Sequence, residues 1–287
     1  MGLLAAMFWA SAAIFYRKGL EDGYDPKIAN FFRAPLGFLV LFLLCVYTNR
    51  LGDLSTVMSD YSILLIITIA VFIMNILGDI LYLVAIQKVG VSIAYPLSYT
   101  YPLAVALISS IILSISVHNI IIVGTIISLV GIYVMSKEKI EDKNHQSIGI
   151  LAALGASLSW ATGIVIYSIL LLKTDPLTVG TIKLAILMFM SSPVLMLYYK
   201  DKTIKKDKRP ILFVLVGGLF GVGLGDVVFY ISLDNISAPL ASALTTSAPF
   251  LSQILACIFL KEKITKNKIT GTILIVLGII IILSPTL

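Results

Sequence analysis

The sequence predicts an all-α integral membrane protein, ten transmembrane helices arranged as two inverted repeats of five. Three observations predict it. Hydrophobic residues make up 59% of the 287 residues and charged residues only 13%, with a mean hydropathy of +1.04. A soluble domain carries roughly a quarter charged residues. The chain also repeats itself: GDILYLVAIQKVGVSIAYPLSYTYP from Gly78 aligns with GDVVFYISLDNISAPLASALTTSAP from Gly225 at one offset of 147 residues, Asp79 on Asp226 and Pro102 on Pro249. Finally, five apolar runs per copy is an odd number, so the second copy enters the bilayer from the opposite face.

Apolar runs of about 20 residues, bounded by charge, Gly or Pro, predict helices over 2–18, 27–47, 61–87, 90–113, 118–136, 148–171, 176–199, 211–232, 238–260 and 266–284. No segment alternates with period two, and lipid offers backbone groups no water, so helices are favoured over a barrel. The first run lacks a basic leader region and matches Gly149–Ile169, with Trp9 on Trp160 and Tyr16 on Tyr167, so it reads as a retained span. Pro26 and Pro176 stand at the first turn of the second helix of each copy, where a missing N–H costs nothing. In the fourth helices Pro102 and Pro249 each free a carbonyl, near Ser98 and Thr245. Gly124 aligns with Gly271 and Gly131 with Gly278 in the fifth helices. The repeats are thus residues 1–136 and 148–287, joined by the polar linker 137–147, KEKIEDKNHQS.

The net charge of +6 arises from loop lysines and argues for membrane topology rather than nucleic-acid binding. Apart from Arg33 and Lys183, every Lys and Arg except Arg50 and Lys173 falls in an odd-numbered loop. That asymmetry places odd loops in the cytoplasm and both termini outside. Cys45 and Cys257 lie in apolar runs as inert packing residues. His118 and His145 sit near loops without metal-ligand company, so neither metal nor cofactor is expected. Gln87 and Asp234 read as loop-facing caps, and Glu262 as part of a solvated turn. With no P-loop, ATP is not the expected energy source.

Two five-helix repeats, a Trp near the start of each, a Pro midway along each fourth helix, and LKEKIT at 260–265 followed by Gly271 and Gly278 together resemble the drug/metabolite transporter superfamily, its EamA-like branch in particular. The resemblance covers essentially the whole chain. It implies a multi-pass cell-membrane carrier of small organic metabolites, for which one chain is enough to build a pathway. It also implies both termini in the cytoplasm, opposite to the lysine count. Ile115 stands where the second copy has Glu262, so any role of that Glu is not duplicated.

Four ionisable residues fall within spans: Arg33, Asp79, Lys183 and Asp226. Each costs about 2.5–3.5 kcal/mol or more at a helix centre when unpaired. Arg33 lies seven residues past Pro26 and Asp79 eight before Gln87, depths of roughly 10 and 12 Å from the same face at 1.5 Å per residue. Lys183 and Asp226 repeat this from the opposite face. Two ion pairs are expected, Arg33–Asp79 and Lys183–Asp226, one toward each mouth of a central cavity, as gates, substrate anchors or proton acceptors. The alternative for the two bases is snorkelling to the interface. Trp9, Tyr16, Trp160 and Tyr167 are expected to line the cavity. Tyr95 and Tyr99, with Ser98, would form an aromatic wall, and Thr245 and Thr246 a small hydroxylic one facing it. Ordinary helix packing is the competing reading of these side chains.

Gly223-Leu-Gly-Asp226 also resembles the GxGD string of intramembrane aspartyl proteases. That chemistry needs two carboxylates sharing a proton, and Asp79 lacks the first Gly of the string. A passive channel is the other alternative, since broken helices could equally line a pore.

Overall fold

The computed structural model describes residues 1–20, 25–89, 94, 97–135, 143–194, 198, 208–260 and 265–284, and every regular element among them is helical. Tyr95, Glu262 and most of the 137–147 linker lie outside the described residues, as do the side chains of His145 and Cys257. In chain order the helices are α1 (Gly2–Leu20), α2 (Pro26–Phe32), α3 (Pro35–Tyr47), α4 (Leu51–Ser59), α5 (Tyr61–Ala70), α6 (Asp79–Val89), α7 (Tyr101–Leu113), α8 (Asn119–Met135), α9 (Lys143–Leu170), α10 (Pro176–Ser191), α11 (Lys208–Gly218), α12 (Asp226–Asn235), α13 (Ala238–Leu244), α14 (Ala248–Leu260) and α15 (Lys266–Leu283). Among the described residues, four stretches are long and apolar enough to cross a membrane: Lys27–Tyr47, Tyr61–Val89, Ser147–Leu170 and Arg209–Asn235. Their outward faces are apolar, as lipid requires: Leu151 is 69% and Leu212 61% exposed.

Local chemistry explains the starts. Asp25 caps α2 by accepting from the Lys27 amide at 2.7 Å, and Asp175 caps α10 by accepting from Leu177 and Thr178 at 3.0 Å. Pro follows each Asp, so the same Asp-Pro start serves both copies. The expected second helix is interrupted at Arg33–Ala34, because Pro35 cannot donate to the turn before it. The short helix α4 occupies a stretch that reads as loop; Asp60 ends it and caps α5 through the Ser62 and Ile63 amides.

The halves are inverted copies that exchange partners. α1 packs on α11 and α14 of the second half, and α9 packs on α6 and α7 of the first. Ala5 and Ala10, and their counterparts Ala156 and Ala161, are fully buried and let these backbones approach. α8 and α15 run antiparallel in close contact. A Cβ on Gly124 would meet the Gly278 carbonyl at 2.6 Å, and one on Gly131 the Gly271 carbonyl at 2.7 Å. Equivalent helices lying antiparallel on equivalent glycines is the signature of an inverted repeat.

The third helix of each half is not α-helical throughout. Val71–Gly78 and Leu219–Gly225 are π-helical and deliver directly into Asp79 and Asp226. The Asp79 amide bonds the Met74 carbonyl five residues back, so the Asn75 carbonyl loses its usual partner and accepts from Asn30 Nδ2 at 2.9 Å. The Asp226 amide likewise bonds Gly221, and the Val222 carbonyl accepts from Lys183 Nζ at 2.9 Å. Each π-turn therefore survives because the second membrane helix of its own half supplies a donor.

Candidate functional site

Both aspartates face one cavity of about 90 Å³ between the halves. By that measure one water needs roughly 10–15 Å³, so several waters or one small solute fit. Asp79 accepts from Arg33 Nη1 and from Asn75 Nδ2, each at 3.2 Å, and from Trp160 Nε1 at 2.8 Å. Asp226 accepts from Lys183 Nζ at 2.5 Å and from Trp9 Nε1 at 2.9 Å. Each carboxylate is thus held by a base of its own half and an indole of the other.

The glycine before each aspartate makes this possible. A Cβ on Gly78 would stand 2.9 Å from Trp160 Cδ1, and one on Gly225 2.6 Å from Trp9 Cδ1. Without side chains there, each indole lies against the helix and reaches the carboxylate one residue on. Aromatic neighbours complete the repeat: Tyr82 packs on Trp160 with centroids 5.0 Å apart, and Phe229 on Trp9 at 5.1 Å. An indole N–H in a membrane interior requires an acceptor, and the duplication of both Trp and Asp was the available signal for these cross-half bonds. Tyr82 and Tyr101, which also line the cavity, carried no such signal.

The two pairs are not equivalent. Arg33 borders the cavity, donates to Asn30 Oδ1 at 3.2 Å and stacks on the Tyr16 ring at 4.6 Å. Lys183 is fully buried behind Asp226, beside the Tyr230 ring at 5.4 Å. Where the first half has Asn30 and Asn75, the second has Gly180 and Val222, so only the first half carries a polar network around its pair.

Of the residues singled out from sequence, Trp9, Tyr16, Arg33, Asp79, Tyr99, Trp160 and Asp226 line the cavity. Ser98, Tyr167, Lys183, Thr245 and Thr246 do not. Tyr167 is buried against Tyr230, with ring centroids 4.7 Å apart. Ser98 donates to the Ala153 carbonyl at 3.4 Å. The expected hydroxylic wall is a backbone device instead. Thr245, Thr246 and Ser247 donate to the carbonyls of Ser242, Ala243 and Leu244 at 2.6, 2.8 and 2.9 Å. They bond back along a 3₁₀ turn before Pro249, and the Thr245 carbonyl that Pro249 leaves without its usual donor accepts from the Ala248 amide. In the first half the turn at Tyr99–Thr100 ends just before α7, with Pro102 in its first turn. Tyr101 crosses to bond the Thr245 hydroxyl.

Neither aspartate bonds the other among the described residues, and each has its own counter-charge. That is not the proton-sharing arrangement an aspartyl protease needs. Trp160→Phe should preserve the ring packing, strand Asp79 without its shortest bond, and destabilise by about 1–3 kcal/mol. Thermal unfolding in detergent measures this, and an unchanged midpoint would mean that the indole bond contributes nothing.

The EamA-like transporter family matches residues 1–137 and again residues 147–284. A protein of Archaeoglobus fulgidus named "Uncharacterized transporter" is 31% identical over 293 aligned residues, spanning 100% of this chain and 98% of its own. "Uncharacterized transporter YoaV" of Bacillus subtilis is 25% identical, over 97% of this chain and 94% of its own. One solved crystal structure superposes with a TM-score of 0.81 over 98% of this chain and 94% of its own, at 17% identity, a likeness of fold alone. With both halves matched and a relative aligned end to end, this multi-pass membrane protein belongs to the EamA-like transporter family.

Proposed function

We propose that the chain is a secondary carrier that moves a small organic metabolite, an amino acid or another amphipathic or aromatic solute, by alternating access through this cavity. The observation that carries the reading is where the cavity lies: between inverted halves, with each carboxylate held by an indole of the opposite half. Contacts joining the halves stand at both ends. Near loops 2 and 6, Arg50 pairs with Asp175 at 3.0 Å. Near loops 1, 3 and 7, Ile28 and Leu83 of the first half bury against Tyr198 and Val214 of the second. Rocking one half against the other opens one set while keeping the other. A single chain supplies both halves and needs no second copy for the pathway. Asp79 is the carboxylate we assign to proton coupling, because Lys183 clasps Asp226.

Only two tryptophans occur in the chain, and both line the cavity, so intrinsic fluorescence reports on it directly. Amino acids, nucleosides, sugars and aromatic metabolites are screened by indole quenching, and each hit is taken to counterflow in proteoliposomes. A carrier gives saturable uptake that is stimulated by unlabelled solute inside. Asp79→Asn should retain that exchange and lose its acceleration by a pH gradient. Non-saturating flux without trans-stimulation would make the protein a channel and sink the proposal.

A further inference from the structure

We infer that Arg33 is the solute-recognising residue and that it takes a carboxylate, so the solute is a small organic carboxylate bearing a neighbouring hydroxyl or ammonium donor. The inference rests on the carrier reading for its context and on four observations for its chemistry.

The guanidinium is under-used. Its bonds to Asp79 and Asn30 both run through Nη1, at 3.2 Å each, and its Nε has no hydrogen-bond partner among the described residues. Bonds between guanidinium and carboxylate are ordinarily about 2.7–2.9 Å. Lys183, by contrast, is tightly engaged at 2.5 and 2.9 Å and does not border the cavity.

Asp79 is over-provided. Trp160 and Asn75 continue to donate to it when Arg33 turns toward a solute, so the exchange does not leave a bare carboxylate. Asp226 lacks this reserve, with Lys183 and Trp9 as its described donors.

The fork has an aromatic neighbour. The Tyr16 ring centroid lies 4.6 Å from the guanidinium carbon and limits where the side chain can go, and a planar fork matches a carboxylate by two parallel bonds. Finally, Asn75 lines the same cavity, and its buried Oδ1, also without a partner among the described residues, is an acceptor in reserve for a donor beside the carboxylate. Met74, Ile164, Trp9 and Trp160 supply apolar walls for the remainder.

The test uses the full chain purified in detergent, with L-lactate, L-alanine and L-phenylalanine as probes and the three corresponding amides as neutral isosteres. Binding is read by quenching of the two indoles. At least one acid should bind, and its amide should bind about tenfold or more weakly, the equivalent of one charge-assisted hydrogen bond. Arg33→Lys keeps the positive charge opposite Asp79 and removes the fork, so it should remain folded and lose a similar factor. Arg33→Gln should lose more where it folds. Lactate and alanine separate hydroxyl from ammonium as the neighbouring donor.

Failure of all three acids to bind, equal binding of acid and amide, or undiminished acid binding by Arg33→Lys each overturns the inference. Proteoliposome counterflow separates this from the carrier reading. Acid binding without exchange sinks the carrier and keeps the carboxylate site; exchange that ignores the carboxylate does the reverse.

Discussion

Lys183→Met should destabilise the protein by about 3–5 kcal/mol, the usual consequence of removing one partner from a buried ion pair. Lys183 has no exposed surface, and its ammonium neutralises Asp226 while satisfying the Val222 carbonyl left over by the π-turn. Once it is gone, an ionised carboxylate remains in a membrane interior with Trp9 as its described donor. The double variant Lys183→Met, Asp226→Asn tests the cause. A neutral amide oxygen still accepts from Trp9, so more than half the loss should return, leaving mainly the orphaned Val222 carbonyl. Unfolding midpoints of the four proteins in one detergent complete the cycle. If the double variant is no more stable than the single, the uncompensated charge is not what the lysine relieves.

Gly218→Ala should be nearly as damaging, at roughly 3 kcal/mol, the upper range for overpacking. The added methyl would overlap the Arg33 carbonyl oxygen, with the carbonyl carbon 2.5 Å and Cα 2.6 Å away. The obstacle is backbone, so no rotamer relieves it. The turn between α2 and α3 must move, and with it the arginine that faces the cavity, so solute binding should fall together with stability. Gly52→Ala is the contrast. It lies in α4 with no atom within 4 Å of its added Cβ, and the change should be neutral or stabilising by a few tenths to about 1 kcal/mol. Equal melting shifts for the two variants would contradict the packing of α11 on the Arg33 turn.

The sequence by itself determined the membrane class, the duplication and the inversion. Composition reports the solvent, and the five apolar runs read in each copy imply opposite orientations. It also paired charges by depth: a constant rise per residue puts Arg33 level with Asp79, and the pair is formed at 3.2 Å. Periodicity lost its hold wherever a helix is interrupted. Nothing local marks the π-turns, because an extra residue in the ladder is stable only when another helix offers a donor, as Asn30 and Lys183 do. The hydroxyls of Thr245 and Thr246 turned to their own backbone, bonding the Ser242 and Ala243 carbonyls in a tight turn where a cavity wall was expected. Tertiary structure alone decided that each indole crosses to the opposite half, joining residues 217 and 81 positions apart. It alone decided that Arg33, and not Lys183, borders the cavity. A void is defined by what fails to fill it, and that depends on how whole helices pack rather than on any segment's own pattern.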